Sequence, residues 1–209
     1  MTAVQDNSNF DEEWDAAFAS FSPKEVAMMT GMSPQLLRLW RKRGYVPEKE
    51  RGEWSKHTPQ EVVHAYLLYA FSQLGIAPSQ IVSSVEYLVP DLLFFTITSS
   101  DGACSFHGAE HAVDSFRRQF DETLDLARQL VSPGDERRYV VAASDGVFRR
   151  YSDLSAALES HTFEYFRCVD LVSAGLAIAA RAQRPLVSFY HRETSGADAT
   201  VRRLSHGQR

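Results

Sequence analysis

Two short helices joined by a glycine-containing turn most constrain how this chain can fold. The first predicted helix opens with Ser22-Pro23-Lys24-Glu25, a capping box with proline at the first helical position. Gly31 ends this helix after two turns, Ser33 caps a second helix, and Gly44 ends the second. Two short helices with this connection are typical of a helix-turn-helix.

A charged hairpin and two further helices are predicted after this pair. Residues 48–57 are rich in charge around a central Gly52, which is typical of a short hairpin, or wing. Thr58-Pro59-Gln60-Glu61 repeats the capping-box pattern and opens a third helix, which Gly75 ends. A fourth helix is predicted from residue 78 to a break at Pro90.

The C-terminal half alternates strand-like runs with helices. Strands are predicted at residues 92–98, 139–143, 163–169 and 186–191. Helices are predicted at residues 109–130, at 153–161 and between the last two strands. The predicted fold class is therefore α+β, with a mostly helical N-terminal domain at residues 21–90 and a small α+β domain at 91–193. An acidic mobile arm at residues 1–20, turning helical near the domain, and a disordered tail at 194–209 complete the predicted organisation.

The composition limits the classes to which the protein can belong. The formal net charge is −5, so any DNA contact requires a local basic patch within an acidic chain. No run approaches the roughly 20 apolar residues that span a bilayer, and the acidic start is unlike a secretory signal. Cys104 and Cys168 are too few for a disulfide framework. We therefore predict a reduced, cytoplasmic protein without membrane contact.

A local basic patch does lie within residues 33–57. This segment holds seven basic and three acidic residues, a local charge of +4. On the second helix Gln35, Arg38 and Lys42 fall at i, i+3 and i+7 and so share one face. The side expected to pack inward carries Leu36, Leu39 and Trp40.

Such a helix fits the major groove of DNA, where Gln35 and Arg38 are expected to reach base edges. Arg41, Lys42 and Arg43, near the end of the helix, suit phosphates. Simple solvated charge is the alternative, which the helix-turn-helix frame disfavours. The complete set of predicted DNA-binding residues is Ser33, Gln35, Arg38, Arg41, Lys42, Arg43, Arg51, Trp54, Ser55, Lys56 and His57.

Three stretches together resemble the DNA-binding domain of the MerR family. Residues 21–47 read FSPKEVAMMTGMSPQLLRLWRKRGYVP and resemble its first half. The stretches KHTPQEVV at 56–63 and LGIAPSQI at 74–81 follow in the family's order. The resemblance covers about a third of the chain and does not extend into the C-terminal half.

The resemblance implies a transcription regulator that binds a two-fold operator as a homodimer on double-stranded DNA, with contact to RNA polymerase. Arg38 matches a base- or phosphate-contacting arginine of the family, and residues 51–57 match the wing. Leu39 and His57 depart from the pattern, because many members carry aromatic residues there. Many members also continue into a long coiled-coil helix, whereas here Pro90 and a strand-like run intervene, so the geometry of the dimer is left open.

The C-terminal half is expected to mediate dimerisation or to bind an effector of unknown identity. One constellation there has metal-ligand spacing: Cys104, His107 and His111, with the two histidines on one face if a helix begins early. A lone cysteine is more often a small buried residue, so we predict no metal. We also predict no cofactor and no enzyme activity, since the chain has neither a phosphate-binding glycine loop nor a nucleophile elbow.

Two further functions remain open at this point. One is an architectural or excisionase-like DNA binder, whose C-terminal half only mediates assembly along DNA. The other is a protein-interaction module whose helix-turn-helix no longer binds DNA, which the acidic composition and Leu39 favour. Steep salt dependence of DNA binding separates a regulator from the interaction module, because each neutralised phosphate releases counterions.

Overall fold

The computed structural model describes residues 14–47, 56–98, 100–131, 138–143, 147–160 and 165–192. The helices within these ranges are α1 Pro23–Thr30, α2 Pro34–Lys42, α3 Pro59–Gln73, α4 Pro78–Glu86, α5 Val89–Thr98, α6 Glu110–Val131, α7 Leu154–Ser160 and α8 Leu171–Arg181. The strands are β1 Trp14–Phe18, β2 Cys104–His107, β3 Tyr139–Ala143, β4 Phe148–Tyr151, β5 Phe166–Asp170 and β6 Val187–His191. Helices predominate before residue 99 and the sheets involve mainly later residues, so the predicted α+β class is confirmed.

The helix-turn-helix forms because its local signals agree. The Ser22 hydroxyl accepts a hydrogen bond from the Glu25 amide at 3.3 Å, and the Glu25 carboxylate accepts one from the Ser22 amide at 2.6 Å. Gly31 ends α1 with a φ of 75°, a left-handed conformation that side chains other than glycine's disfavour. The predicted helices of this segment are confirmed.

Residues 92–98, predicted as a strand, lie in helix α5, so that prediction is wrong. The run is apolar on all sides, and periodicity does not distinguish a buried helix from a buried strand in such a run. Pro90 lies in the first turn of α5, where its missing amide hydrogen costs nothing. Thr96 donates its hydroxyl proton to the Leu92 carbonyl one turn earlier, at 2.7 Å.

A first three-stranded sheet has the order β1-β6-β2, with β1 antiparallel and β2 parallel to β6. Strand β1 corrects the prediction of a mobile arm turning helical: residues 14–18 are a strand, and residues 1–13 lie outside the described ranges. Aromatic rings join this sheet to α6, since the Trp14 ring stacks on Phe116 at 4.2 Å between centroids and Phe106 packs against Phe120 at 5.5 Å.

A second, antiparallel sheet has the order β4-β3-β5. The predicted strands at residues 139–143, 163–169 and 186–191 are confirmed as β3, β5 and β6, although β5 runs from Phe166 to Asp170 and β6 begins at Val187. Helices α6, α7 and α8 are likewise confirmed. Strands β2 and β4 were not predicted, because four residues are too few to show a clear alternation.

One hydrophobic core runs through both halves of the chain. Val26, Leu37 and Phe71 from the N-terminal half belong to the same buried cluster as Leu171 and Ile178 from α8. The packing is therefore continuous across residue 90. The division of the chain into a domain at residues 21–90 and another at residues 91–193 stays a prediction.

No single helix in the described ranges has the length and apolar composition of a membrane span. Helices α4 and α5 together have this length and apolar composition, but their axes are bent by 68° relative to each other.

Helix α8 comes closest to α5 at Gly175. A Cβ atom at this position would lie 2.7 Å from the backbone carbon of Phe95 and 2.7 Å from the backbone nitrogen of Thr96. Because backbone atoms cannot swing aside as a side chain can, any larger residue forces the two helices apart. Gly175 therefore allows α8 to pack directly on the backbone of α5.

We predict that Gly175→Ala lowers the free energy of unfolding by roughly 1–3 kcal/mol, because the added methyl group overpacks this contact. Alanine has the higher helix propensity, so a destabilisation reports the clash and not the helix. Urea denaturation followed by circular dichroism measures the change. Leu176→Ala is the control, since Leu176 is 44% exposed on the same helix and should cost less. A Gly175→Ala variant as stable as the wild type contradicts the prediction.

Candidate nucleic-acid interface

Burial fixes which face helix α2 turns outward. Leu37 is 1% exposed and Trp40 is 4% exposed, and both belong to the core. Leu36 is half-buried beside them. Leu39, predicted to point inward, is 41% exposed, so that prediction is wrong. Leu37 and Trp40, one turn apart, define the inner stripe instead.

The outer face of α2 is basic. Gln35, Arg38 and Lys42 are all exposed on it, and Arg43 follows at the end of the helix. Within the described ranges no carboxylate lies within ion-pair distance of Arg38, Lys42 or Arg43. Ser33 serves as the helix cap, its hydroxyl accepting the Leu36 amide at 3.2 Å. The face thus offers three cations and one amide to an anionic surface.

The side chain of Arg41 points away from this basic face, and its guanidinium group contacts a buried histidine. Its Nη2 lies 2.6 Å from Nε2 of His57, which is 1% exposed. Because a guanidinium only donates, Nε2 of His57 accepts and its ring proton sits on Nδ1. That nitrogen lies 3.4 Å from the Glu61 carboxylate of α3. The set Arg41, His57 and Glu61, called the buried relay below, joins α2 to the start of α3.

The backbone of His57 strengthens the same junction. It exchanges two hydrogen bonds with Phe21, with N–O distances of 2.7 and 2.8 Å, in an isolated antiparallel bridge. The segment before α1 is therefore paired with the segment before α3. His57 holds three parts of the helix-turn-helix at a fixed separation.

The structure divides the predicted DNA-binding residues into three groups. Five of them lie exposed on or beside α2, namely Ser33, Gln35, Arg38, Lys42 and Arg43, and Lys56 lies exposed next to α3. Arg41, which is half-buried, and His57, which is buried, belong to the buried relay and position the helix. Arg51, Trp54 and Ser55 lie outside the described residues, so the wing remains a prediction.

Two arginines of the C-terminal half bind the helix-turn-helix, and no sequence pattern predicts either contact. Arg184 forms an ion pair with Glu25 at 3.1 Å, donates to the Ser20 carbonyl and lies 4.7 Å from the Phe21 ring. Arg181 donates to the Met29 carbonyl at 3.4 Å. The pKa of Glu25 is lowered chiefly by the Ser22 amide, with smaller contributions from the Ser22 hydroxyl and Arg184. Nothing in the local sequence around either arginine signals these distant partners.

An ion pair between an exposed arginine and a buried aspartate joins the second sheet to helix α5. Nη1 of Arg150 on β4 lies 2.7 Å from the carboxylate of Asp91, which is buried in the first turn of α5. Burial removes water from the Asp91 carboxylate, and the Arg150 guanidinium supplies the charged partner that this carboxylate then needs.

The candidate metal ligands do not form a site. Helix α6 begins at Glu110, so His107 is a strand residue and does not share a helical face with His111, contrary to that expectation. His107 contacts the Ser105 hydroxyl at 2.9 Å and stacks on Tyr190. Burial raises the pKa of the Cys104 thiol to about 11, which disfavours the thiolate that metals bind. Among the described residues no three histidine, cysteine, aspartate or glutamate side chains are grouped for a metal ion.

Comparison with known families identifies the N-terminal half. Residues 21–87 match the family model described as MerR HTH family regulatory protein. No curated protein matches the chain significantly. The match confirms the predicted resemblance over the segment that carries α1 to α4, the exposed face of α2 and the buried relay.

We predict that His57→Ala lowers the free energy of unfolding by roughly 1–3 kcal/mol, because it leaves the Arg41 guanidinium without its acceptor. A double-mutant cycle with Arg41→Ala tests whether the two residues share one interaction. The double variant should then lose at least about 0.5 kcal/mol less unfolding free energy than the sum of the losses in the two single variants. Chemical denaturation of the four proteins supplies the data. Lys56→Ala, an exposed neighbour, should change stability little. Fully additive losses would show that the relay does not act as a unit.

Proposed function

Because residues 21–87 form a MerR-type helix-turn-helix domain, we propose that this protein is a sequence-specific transcription regulator that binds DNA through helix α2. The exposed basic face of α2 carries the proposal: Gln35, Arg38 and Lys42 point outward while Leu37 and Trp40 hold the helix to the core. A regulator of this kind works in the compartment that holds the DNA, which for this chain we take to be the cytoplasm.

In the proposed complex α2 lies in the major groove. Gln35 and Arg38, in the first turns, face base edges, where arginine pairs with guanine and glutamine with adenine. Lys42, Arg43 and Lys56 face phosphates, which fix the register of the protein on the duplex. Arg51, Trp54 and Ser55 of the wing are proposed to reach the neighbouring backbone. Arg41 and His57 act indirectly, by orienting α2.

We further propose that the protein binds a two-fold operator as a homodimer that pairs through residues 91–193, with RNA polymerase as a further partner. Helix α6 offers the longest described element for this purpose, with 22 residues between strands β2 and β3. Its first half packs on the first sheet through Phe116 and Phe120. Strand β2 and helix α5 separate α6 from α4, so the pairing differs from that of a helix continuing directly from α4.

A protein-interaction module is the second candidate, and one observation favours it. Leu39 is 41% exposed in the middle of the basic face, where an apolar side chain suits a protein surface better than a phosphate. A thymine methyl group is an alternative partner for the same side chain in a groove. Binding to DNA separates the two candidates.

Arg38→Ala should weaken binding to a duplex selected from a random pool by roughly 1–3 kcal/mol, because arginine contributes that much when it reads a base. Fluorescence anisotropy with the selected duplex and with a scrambled one measures the effect. Lys24→Ala, an exposed charge change on α1, is the control and should retain specific affinity. An equal loss on both duplexes would assign Arg38 to phosphate contact alone, and binding by neither protein would favour the interaction module.

The proposed dimer has a direct test in solution. Sedimentation equilibrium of the full chain at micromolar concentration should give about twice the monomer mass of 23.5 kDa. The two-fold operator requires this stoichiometry, since each half-site takes one recognition helix. A monomer both free and on the selected duplex would contradict the dimeric arrangement.

A further inference from the structure

Leu39 is an apolar residue near the middle of the outer face of helix α2. Its side chain is 41% exposed, whereas Leu37 and Trp40 on the inner face are buried. Because an α-helix turns by roughly 100° per residue, Leu39 lies about 50° from the centre of the face opposite Leu37 and Trp40. Arg38 lies about 50° from the same line on its other side, so the two residues are equally central to the outer face.

The side chains around Leu39 on this face are polar or charged. Gln35 lies one turn before Leu39 and Arg43 one turn after it, while Arg38 and Lys42 lie beside it. All four of these neighbours are exposed. In the free protein the leucine side chain is therefore in contact with water, inside a face that otherwise suits an anionic surface.

The packing of the neighbouring leucines shows that Leu39 does not contribute to the core. Leu36 is half-buried against the core cluster and Leu37 lies within it, whereas Leu39 is exposed. A single exposed leucine is common on protein surfaces and by itself indicates no function. The position of Leu39 within the face proposed to enter DNA is what makes its chemistry informative.

The C5 methyl group of thymine is the apolar group that base edges offer in the major groove of DNA. A leucine side chain has no hydrogen-bond donor or acceptor, so it gains little from a phosphate or from the polar part of a base edge. Contact with a methyl group, by contrast, removes apolar surface of both partners from water. Cytosine carries hydrogen in place of the methyl group, so such a contact distinguishes the two pyrimidines.

We propose that Leu39 contacts the C5 methyl group of a thymine in the operator and thereby determines specificity at that base pair. This proposal rests on the proposed function in DNA recognition and specifies one base that α2 recognises. Leu39 lies one residue from Arg38 and one turn, about 5.4 Å, from Gln35. Because stacked base pairs are about 3.4 Å apart, the thymine lies within about two base pairs of those that Arg38 and Gln35 contact.

Replacement of thymine by uracil tests the contact, because it removes the methyl group and leaves base pairing unchanged. Each thymine in one half-site of the selected duplex is replaced in turn, and fluorescence anisotropy measures the affinity of the full chain. One replacement should weaken binding of the wild type about fourfold, the effect expected when one methyl group loses its apolar contact. The same replacement should leave the affinity of Leu39→Ala unchanged, since alanine is too short to reach the methyl group.

Two further variants distinguish this contact from a general effect on the helix. Leu39→Met keeps an apolar side chain of similar volume, so its binding should still weaken at least twofold when the thymine is replaced. Leu176→Ala removes an exposed leucine from α8 and should respond to uracil as the wild type does.

The outcomes separate the contact from DNA recognition itself. If no uracil replacement changes the affinity of the wild type by twofold, or if Leu39→Ala shows the same uracil effect as the wild type, the contact is refuted while DNA recognition stands. If the wild type binds no duplex at all, the proposed function is refuted, and the contact of Leu39 with it.

Discussion

The packing of one face of helix α2 against the core leaves its opposite, basic face exposed to an anionic surface. The other parts of the structure described above support this orientation of the helix. Leu37 and Trp40 bury the inner stripe, and the buried relay fixes the rotation of the helix about its axis. The contact between Arg41 and His57 restricts the position of α2, because a guanidinium group taken out of water without a hydrogen-bond acceptor raises the free energy of the folded state. Its geometry sets which residues remain outside: Gln35, Arg38 and Lys42. A protein of overall negative charge thereby presents one basic face.

The C-terminal half is part of the scaffold that supports this face. Arg181 and Arg184 bind α1 and the residues before it, and Gly175 lets α8 lie against the α5 backbone. Asp91 and Arg150 connect the second sheet to the same helix. A change in the C-terminal half therefore has a physical route to the helix-turn-helix, through contacts between packed helices and ion pairs.

Local signals explain what the sequence could predict. The caps at Ser22 and Thr58 and the left-handed Gly31 act within a few residues, so the boundaries of α1, α2 and α3 follow from them. Features that depend on distant partners could not be read in the same way. Strand β1 exists because Trp14 pairs with His191 near the other end of the described chain. The sequence of α5 predicts a strand, because its apolar residues pack on more than one side and obscure the helical periodicity.

The residues of the candidate site also divide into those that local spacing predicts and those whose position depends on a distant partner. Exposure of Gln35, Arg38 and Lys42 follows from spacing on one helix, whereas the inward turn of Arg41 depends on His57, sixteen positions away and buried by its bridge to Phe21. A basic run at the end of a helix resembles a phosphate-binding cluster in sequence, and only burial distinguishes the residue that positions the helix from those that face solvent.

Photo-crosslinking tests most directly whether the outer face of α2 meets DNA bases. The photoreactive residue p-benzoylphenylalanine is placed at position 35, or at the exposed position 176 on α8 as control, and each protein is irradiated on a selected duplex. If α2 lies in the major groove, position 35 should cross-link to bases within the selected half-site and position 176 should not. Cross-linking that is absent from position 35, or equal at the two positions while the duplex remains bound, would contradict this placement of α2.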